Sequence, residues 1–425
     1  MSLTGNSAPG TGHVGTLTPD QTAALKKLWA AIYEIQEKGS VTIVPEPVPV
    51  PGTPAPAPVA ASTGWGGGWF GSAAPAAPVE PVVEPPLTLT LEEIGLTAEG
   101  VHTALWNNVL GDNPDTLVLR FLRARKWHVG NGLTMILKAF KWRQEQNVED
   151  VKTLGDDELE KEYPKFKNQL EMGKSFVRGV DKQGQPVVYL NVGLHRPADQ
   201  DHRTLERLTL YLMETGRLLI QPPVETVALV FDLSQFGLGN MDYNFVKFLV
   251  HCFEAYYPES LGAIMVHKSP FVFWGVWKII EPWLDPVVAS KICFTSTDAE
   301  LLDHIPAEHL PTTYEGGKDK YSYQYLPPVE GENDRMKDTA TRAKLQGEWN
   351  TLAQQFEAKT RAWIVSADGE KDKLGQDRAD IAKELRTQYF KLEPYIRARN
   401  QFHRKDAAGH SVVQEDGTAI WDYQN

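Results

Sequence analysis

His304 and His309 in "HIPAEH", the thiols Cys252 and Cys293, and the cations of "LRFLRARKWHV" (119–129) are the groups whose type and spacing could carry chemistry in this chain. The two histidines evoke a zinc signature, but they stand five residues apart rather than four, with Pro306 between them. Metal binding is not expected there, and both suit a loop or a helix end. The cysteines sit in apolar stretches rather than in a spaced framework, as free thiols of a reducing compartment do. No G-x-G-x-x-G follows a strand, and there is no P-loop and no G-x-S-x-G elbow, so neither a nucleotide site nor an acyl-transfer nucleophile is expected. An enzyme is not indicated. Two features remain: a basic turn fit for an anion, and a stretch fit for apolar matter.

That stretch is "SPFVFWGVWKIIEPWLD" (269–285), in which ten of seventeen residues are large and apolar. On a helical wheel they do not keep to one stripe, so two faces need covering. A membrane span needs about twenty apolar residues, and Pro282 with the acids falls inside the window. A buried core helix meets these facts, and so does a lid with one face on an internal pocket and the other on a membrane. The whole chain has 425 residues, 42% of them hydrophobic, which supports a substantial core. Its net charge of −12 disfavours a nucleic-acid binder or a purely electrostatic membrane binder, so any anion site must be local. The N-terminus lacks the basic flank and apolar run of a signal peptide, which leads to the expectation of a cytoplasmic protein meeting endomembranes reversibly.

These groups must be positioned by an alternating body. Residues 1–40 hold a short amphipathic helix with Thr18 as N-cap before Pro19 and Leu25, Leu28, Trp29 and Ile32 at helical spacing. Residues 41–90 carry twelve of the 29 prolines and no lysine or arginine. This composition predicts a disordered linker, with Trp65, Trp69 and Phe70 set among glycines as a possible partner or membrane motif. Residues 91–160 read as a small helical lobe, with Leu117, Phe121, Ile136 and Phe140 in phase. From 161 to 325, apolar strands "PVVYLNV", "TVALVFDL", "GAIMVH" and "ICFTS" alternate with long helices, which predicts an α/β domain with a largely parallel or mixed sheet. Residues 326–425 form a helical extension in which Trp349, Phe356 and Trp363, then Leu385, Tyr389 and Leu392, mark two amphipathic helices expected to dock on the α/β domain or on a partner.

In order along the chain, "LRFLRARKWHV", "DKQGQPVVY" (181–189), "YYPESLG" (256–262), "SPFVFWGVWKIIEPWLDPVVASKI" (269–292) and "IPAEHLP" (305–311) resemble the CRAL-TRIO lipid-binding family. The resemblance is nearest to the fungal phosphatidylinositol transfer proteins, in a divergent group with a C-terminal extension, and covers roughly residues 95–325. It implies the CRAL-TRIO fold: a mixed, mostly parallel sheet over a lipid pocket, preceded by a helical lobe and followed by C-terminal helices. It also implies a non-enzymatic protein that binds phosphatidylinositol and exchanges it between membranes or presents it to a lipid kinase, as a monomer with no cofactor beyond the lipid.

By the same resemblance, residues 269–285 are the gate helix of the pocket, with Phe271, Phe273, Trp274, Trp277, Ile280, Trp283 and Val288 as gate and pocket residues. Arg125, Lys126, Glu259 and Lys291 match the polar set used toward the inositol phosphate. Val288 departs from the usual threonine. Val188, Val227 and Leu229 stand where members that bind phosphatidylcholine carry hydroxyls, so the second ligand is expected to be a neutral hydrophobe such as a sterol or squalene-like lipid. A different class of function, an interaction scaffold with a vestigial pocket, is compatible with the Trp-rich linker and the C-terminal helices.

Overall fold

The computed structural model describes residues 10–44, 85–366, 371–404, 410–413 and 419–422. The chain enters through α1 (Pro19–Lys38), where Thr18 closes a capping box with Gln21 ahead of Pro19 and Gly39 ends the helix in the left-handed region. Strand β1 (Ser40–Ile43) pairs antiparallel with β2 (Leu87–Thr90), Ile43 opposite Leu87. The stretch read as a disordered linker is thus corrected at both ends, which are paired strands, because Val41 and Leu89 find apolar cover that composition alone cannot reveal. Trp65, Trp69 and Phe70 lie outside the described residues.

Helices α2 (Leu91–Ile94), α3 (Ala98–Val109), α4 (Pro114–Ala124) and α5 (Val129–Glu145) build a lobe around α1, followed by short turns α6 (Asp150–Thr153), α7 (Asp156–Glu162) and α8 (Phe166–Glu171). Trp29 of α1 is fully buried, stacks on Tyr33 at 5.6 Å and donates its indole N–H to Asp115 at 2.8 Å. A lobe read as beginning at residue 91 therefore has α1 in its core.

The sheet has the order β3 (Ser175–Val180), β4 (Pro186–Asn191), β5 (Val227–Asp232), β6 (Leu261–His267), β7 (Ile292–Thr295). Only β3 is antiparallel, and β4 to β7 are parallel. Each parallel step moves the same way across the sheet, and right-handed crossovers then put all their helices on one face. These are α9 (His202–Leu219), α10 (Tyr243–His251) and, between β6 and β7, α11 (Phe273–Ile280) with α12 (Pro286–Ala289). The opposite face carries Phe176, Val187, Tyr189, Val230 and Met265, covered by Leu301 of α13 (Asp298–Leu301), Ile305, Leu310 and Tyr314. With both faces buried, these strands read as continuous apolar runs. At the start of β6 the absent side chain of Gly262 makes room for Gln185, whose oxygen would lie 1.4 Å from a Cβ there.

The extension consists of α14 (Thr339–Val365) and α15 (Lys371–Ile396), followed by the hairpin β8 (His410–Val413) and β9 (Ala419–Asp422). Its apolar stripe is spent on the chain itself. Trp349 meets Trp106 edge-on at 5.3 Å, Phe356 meets Trp29 at 6.0 Å, and Phe402 packs near Tyr211 of α9.

Candidate functional site

Between the sheet and its covering helices lies a cavity of about 290 Å³. Its floor comes from alternate residues of the strands, Val188 on β4, Val227 and Leu229 on β5, Ile264 and Val266 on β6, because period 2 turns every second side chain to this face. Its walls are the inner faces of α9 and α10, represented by Leu208, Leu212, Phe245 and Leu249. Helix α10 runs on into a π turn at Cys252–Tyr256, which turns Phe253 onto the cavity.

Helix α11 roofs it. Phe273, Trp277 and Ile280 line the cavity, as does Val288 after the turn, while Phe271 is 93% exposed and Trp274 42% exposed on the outer side. The grouping read from sequence is therefore divided. Phe273, Trp277, Ile280 and Val288, with Val188, Val227 and Leu229, share the pocket. Phe271, Trp274 and Trp283 do not line it: Trp274 lies over Phe294 of β7 at 4.9 Å, and Trp283 meets Tyr243 at 6.0 Å and the Lys247 ammonium at 4.8 Å. Trp274 faces outward because 3.6 residues per turn cannot bring it to the same side as its neighbour Phe273, and Phe271 precedes the helix. Ile279 and Val287 are exposed as well, as are Leu238 on the β5–α10 connection and Tyr243 at the start of α10.

Glu259 and Lys291 sit at the N-terminal ends of the parallel strands β6 and β7. Lys291, just before β7, lies 3.9 Å from Glu259, whose φ of +54° marks the tight turn before β6. Arg125 closes α4 with its guanidinium turned back to the Ala124 carbonyl at 3.2 Å, and Lys126 follows at φ +50°, both side chains exposed. No hydrogen bond or ion pair among the described residues joins Arg125 or Lys126 to the Glu259–Lys291 pair. The connection is Arg120, buried on α4, which donates to the carbonyls of Glu259 at 2.8 Å and Glu225 at 2.5 Å. Arg123 donates to Gly12 O and to the Glu225 carboxylate, which also meets His13 at 3.0 Å. Sequence reasoning passed over Arg120, though a signal was present: a cation three residues after Leu117 and one before Phe121 stands inside an apolar stripe, where an arginine needs partners.

His304 and His309 are placed apart. His304 lies 3.7 Å from the Cys293 sulfur, while His309 ends a 3-10 turn, and burial lowers its pKa. Residues 170–316 match the CRAL/TRIO domain, and residues 86–138 match the CRAL/TRIO N-terminal domain. The chain is 41% identical to CRAL-TRIO domain-containing protein C3H8.02 of Schizosaccharomyces pombe over 72% of its length and 68% of that protein's. It is 36% identical to phosphatidylinositol transfer protein CSR1 of Eremothecium gossypii over 94% of its length and 98% of that protein's. Against SEC14 cytosolic factor of the same organism, identity is 30% over 48% of this chain and 70% of that protein. A helical lobe, a sheet parallel but for one edge, a roofed apolar cavity and a likeness running through nearly the whole chain have one consequence: the chain belongs to the CRAL/TRIO family and has its fold.

Proposed function

We propose that this protein binds phosphatidylinositol and exchanges it between membranes or presents it to a lipid kinase, without catalysing a reaction. The observation that carries the reading is the apolar cavity roofed by a helix whose outer face, Lys278 aside, is also apolar. Such a roof can leave the cavity and meet a bilayer with a single ammonium on its outer face, Lys278, whose long stem lets the charge stay among the headgroups. Transfer of an acyl chain from bilayer to pocket is then close to balanced, since each buried methylene is worth about 0.8 kcal/mol in either place. The inositol phosphate would lie at the basic end, drawing on Arg125, Lys126 and Lys291, with Glu259 available to sugar hydroxyls. The aliphatic Val188, Val227 and Leu229 on the cavity floor support a neutral hydrophobe as an alternative ligand and disfavour a choline phosphate. Docked C-terminal helices support a monomer that works on membranes of the cytoplasm over a scaffold that displays its helices to partners.

The test is transfer of labelled phosphatidylinositol and phosphatidylcholine between vesicles. The wild type should move the first much faster than the second, and the double variant Arg125→Ala, Lys291→Ala should lose most phosphatidylinositol transfer while melting as the wild type does. A folded double variant with undiminished transfer overturns the headgroup assignment.

A further inference from the structure

The cavity has a second end, which none of the phosphatidylinositol residues occupies. Strand β5 is six residues long, so the two ends of the parallel sheet are about 20 Å apart. Glu259 and Lys291 are at the N-terminal end. At the C-terminal ends of β4 and β5, the lining includes Lys174, Ser175, Asn191 and His195. The fold brings them there: Ser175 is opposite Leu190 in the β3–β4 pair, Lys174 O accepts from the Asn191 amide at 2.8 Å, and Asn240 holds the carbonyl of His195 at 2.7 Å.

Lys174 is 6% exposed and lines an apolar cavity, yet no carboxylate among the described residues lies within 4.0 Å of its ammonium. Its one hydrogen bond goes to the neutral side-chain oxygen of Gln200, at 2.8 Å. Burial pushes its pKa down to about 8 against the opposing charge of Asp199, so the amine is still mostly protonated at neutral pH. Beside it, Nε2 of His195 is buried without a hydrogen bond, 3.6 Å from Asp242. A buried cation with two unused donors is costly unless an anion joins it. A buried ammonium at one end of a hydrocarbon-lined cavity fits an acceptor group on the end of a long apolar chain.

We infer that the Lys174 end of the cavity is a second binding site that takes a long-chain carboxylate of the fatty-acid class, the carboxylate on Lys174 and the chain along the apolar floor. This rests on the pocket being a lipid pocket, as proposed above, and adds a ligand class to the neutral hydrophobe that Val188, Val227 and Leu229 support. The fatty acid enters carboxylate first and leaves the basic end at Lys291 free.

Delipidated full-length protein is titrated with oleate and with oleyl alcohol, which differ only in the terminal group. The expected result is at least tenfold tighter binding of oleate in the wild type, and loss of that preference in Lys174→Met, with oleyl alcohol affected less than threefold. Equal affinities of the wild type for the two probes overturn the inference, and this comparison needs no variant to fold. An unchanged oleate preference in a folded Lys174→Met protein overturns it as well. Binding of neither probe removes the lipid pocket with it, whereas a clear oleate preference without phosphatidylinositol transfer leaves this site standing and removes the transfer reading alone.

Discussion

Phe271 and Phe273 are two residues apart and live in opposite surroundings, one 93% exposed and the other 7% exposed against Phe236 at 5.7 Å. The same substitution should therefore read out two different things. Phe271→Asp adds a charge to open surface and is expected to cost within about 0.5 kcal/mol of stability while sharply reducing capture by vesicles. Phe273→Asp buries an unpaired carboxylate and should cost at least about 3 kcal/mol. Thermal melts beside vesicle co-sedimentation check both, and equal melting of the two variants would contradict the inner and outer faces assigned here. At this scale the sequence was legible for the apolar pocket, since Val188, Val227, Leu229, Trp277 and Val288 all line it. It was not legible for Trp274 and Trp283: apolar residues ring α11, so the pattern does not say which face turns inward, and the break at Pro282 resets the phase before Trp283. Lys174 and His195 escaped notice for another reason: nothing local marks a single lysine before a strand as buried.

Among the elements, α15 shows what holds the extension in place. Its Arg378 donates to the Asp115 carboxylate of α4 at 2.5 Å and to Thr360 of α14 at 2.9 Å, and Asp115 also receives the Trp29 indole of α1. Three helices thus meet at one buried carboxylate, and Arg378 ties α14 to it as the fourth. Arg378→Ala leaves that carboxylate short of its charged partner and should destabilise the protein by about 3 kcal/mol, measured by urea denaturation. A change below about 1 kcal/mol would mean that the helices are held by their aromatic contacts alone. A second clamp, Arg386, donates to Gly111 O at 2.6 Å and to the Gln221 side chain at 2.9 Å, tying α15 to the end of α9 and so to a pocket wall. The pattern of Trp349, Phe356 and Trp363 foretold the helices and their apolar stripe. It could not foretell that the stripe meets α1 and α3, since amphipathicity says that a face is covered and not by what. Strand β3 was missed as well, because Arg178 and Gly179 break the apolar run that marked the other four strands.

For the whole molecule, the seam between the extension and the body carries buried charge that should make stability depend on pH. His403, its side chain 4% exposed, has its pKa lowered to about 4, by burial first and then by Arg399. The unfolded chain therefore binds the proton more tightly, and stability falls as pH drops from about 6.5 to about 4, by on the order of 3 kcal/mol. Glu393 is held at about 2: burial opposes its ionisation, but Arg399, His403 and Arg397 outweigh it. Its contribution is present above about pH 4.5 and is lost between there and pH 2. Melting temperature is expected to be highest near neutrality and to fall already by pH 5.5, before ordinary surface carboxylates titrate. A flat profile from pH 7 to 5 would contradict the burial of His403.

The pairing of β1 with β2 bears on how many polypeptides this protein needs. Ile43 sits opposite Leu87, so residues 45–84 leave and return at one point on the surface, and what precedes them is anchored independently by the buried Leu25, Leu28, Trp29 and Ile32 of α1. The loop-closure entropy of a connection between two points already held together changes by only about 0.6 kcal/mol when its length doubles. Severing it would leave an N-terminal piece that still fills a slot in the helical lobe. Two separately made fragments, one ending and the other beginning within 45–84, should then assemble into a working protein, and foreign sequence spliced into the same interval should ride along without disturbing the pocket.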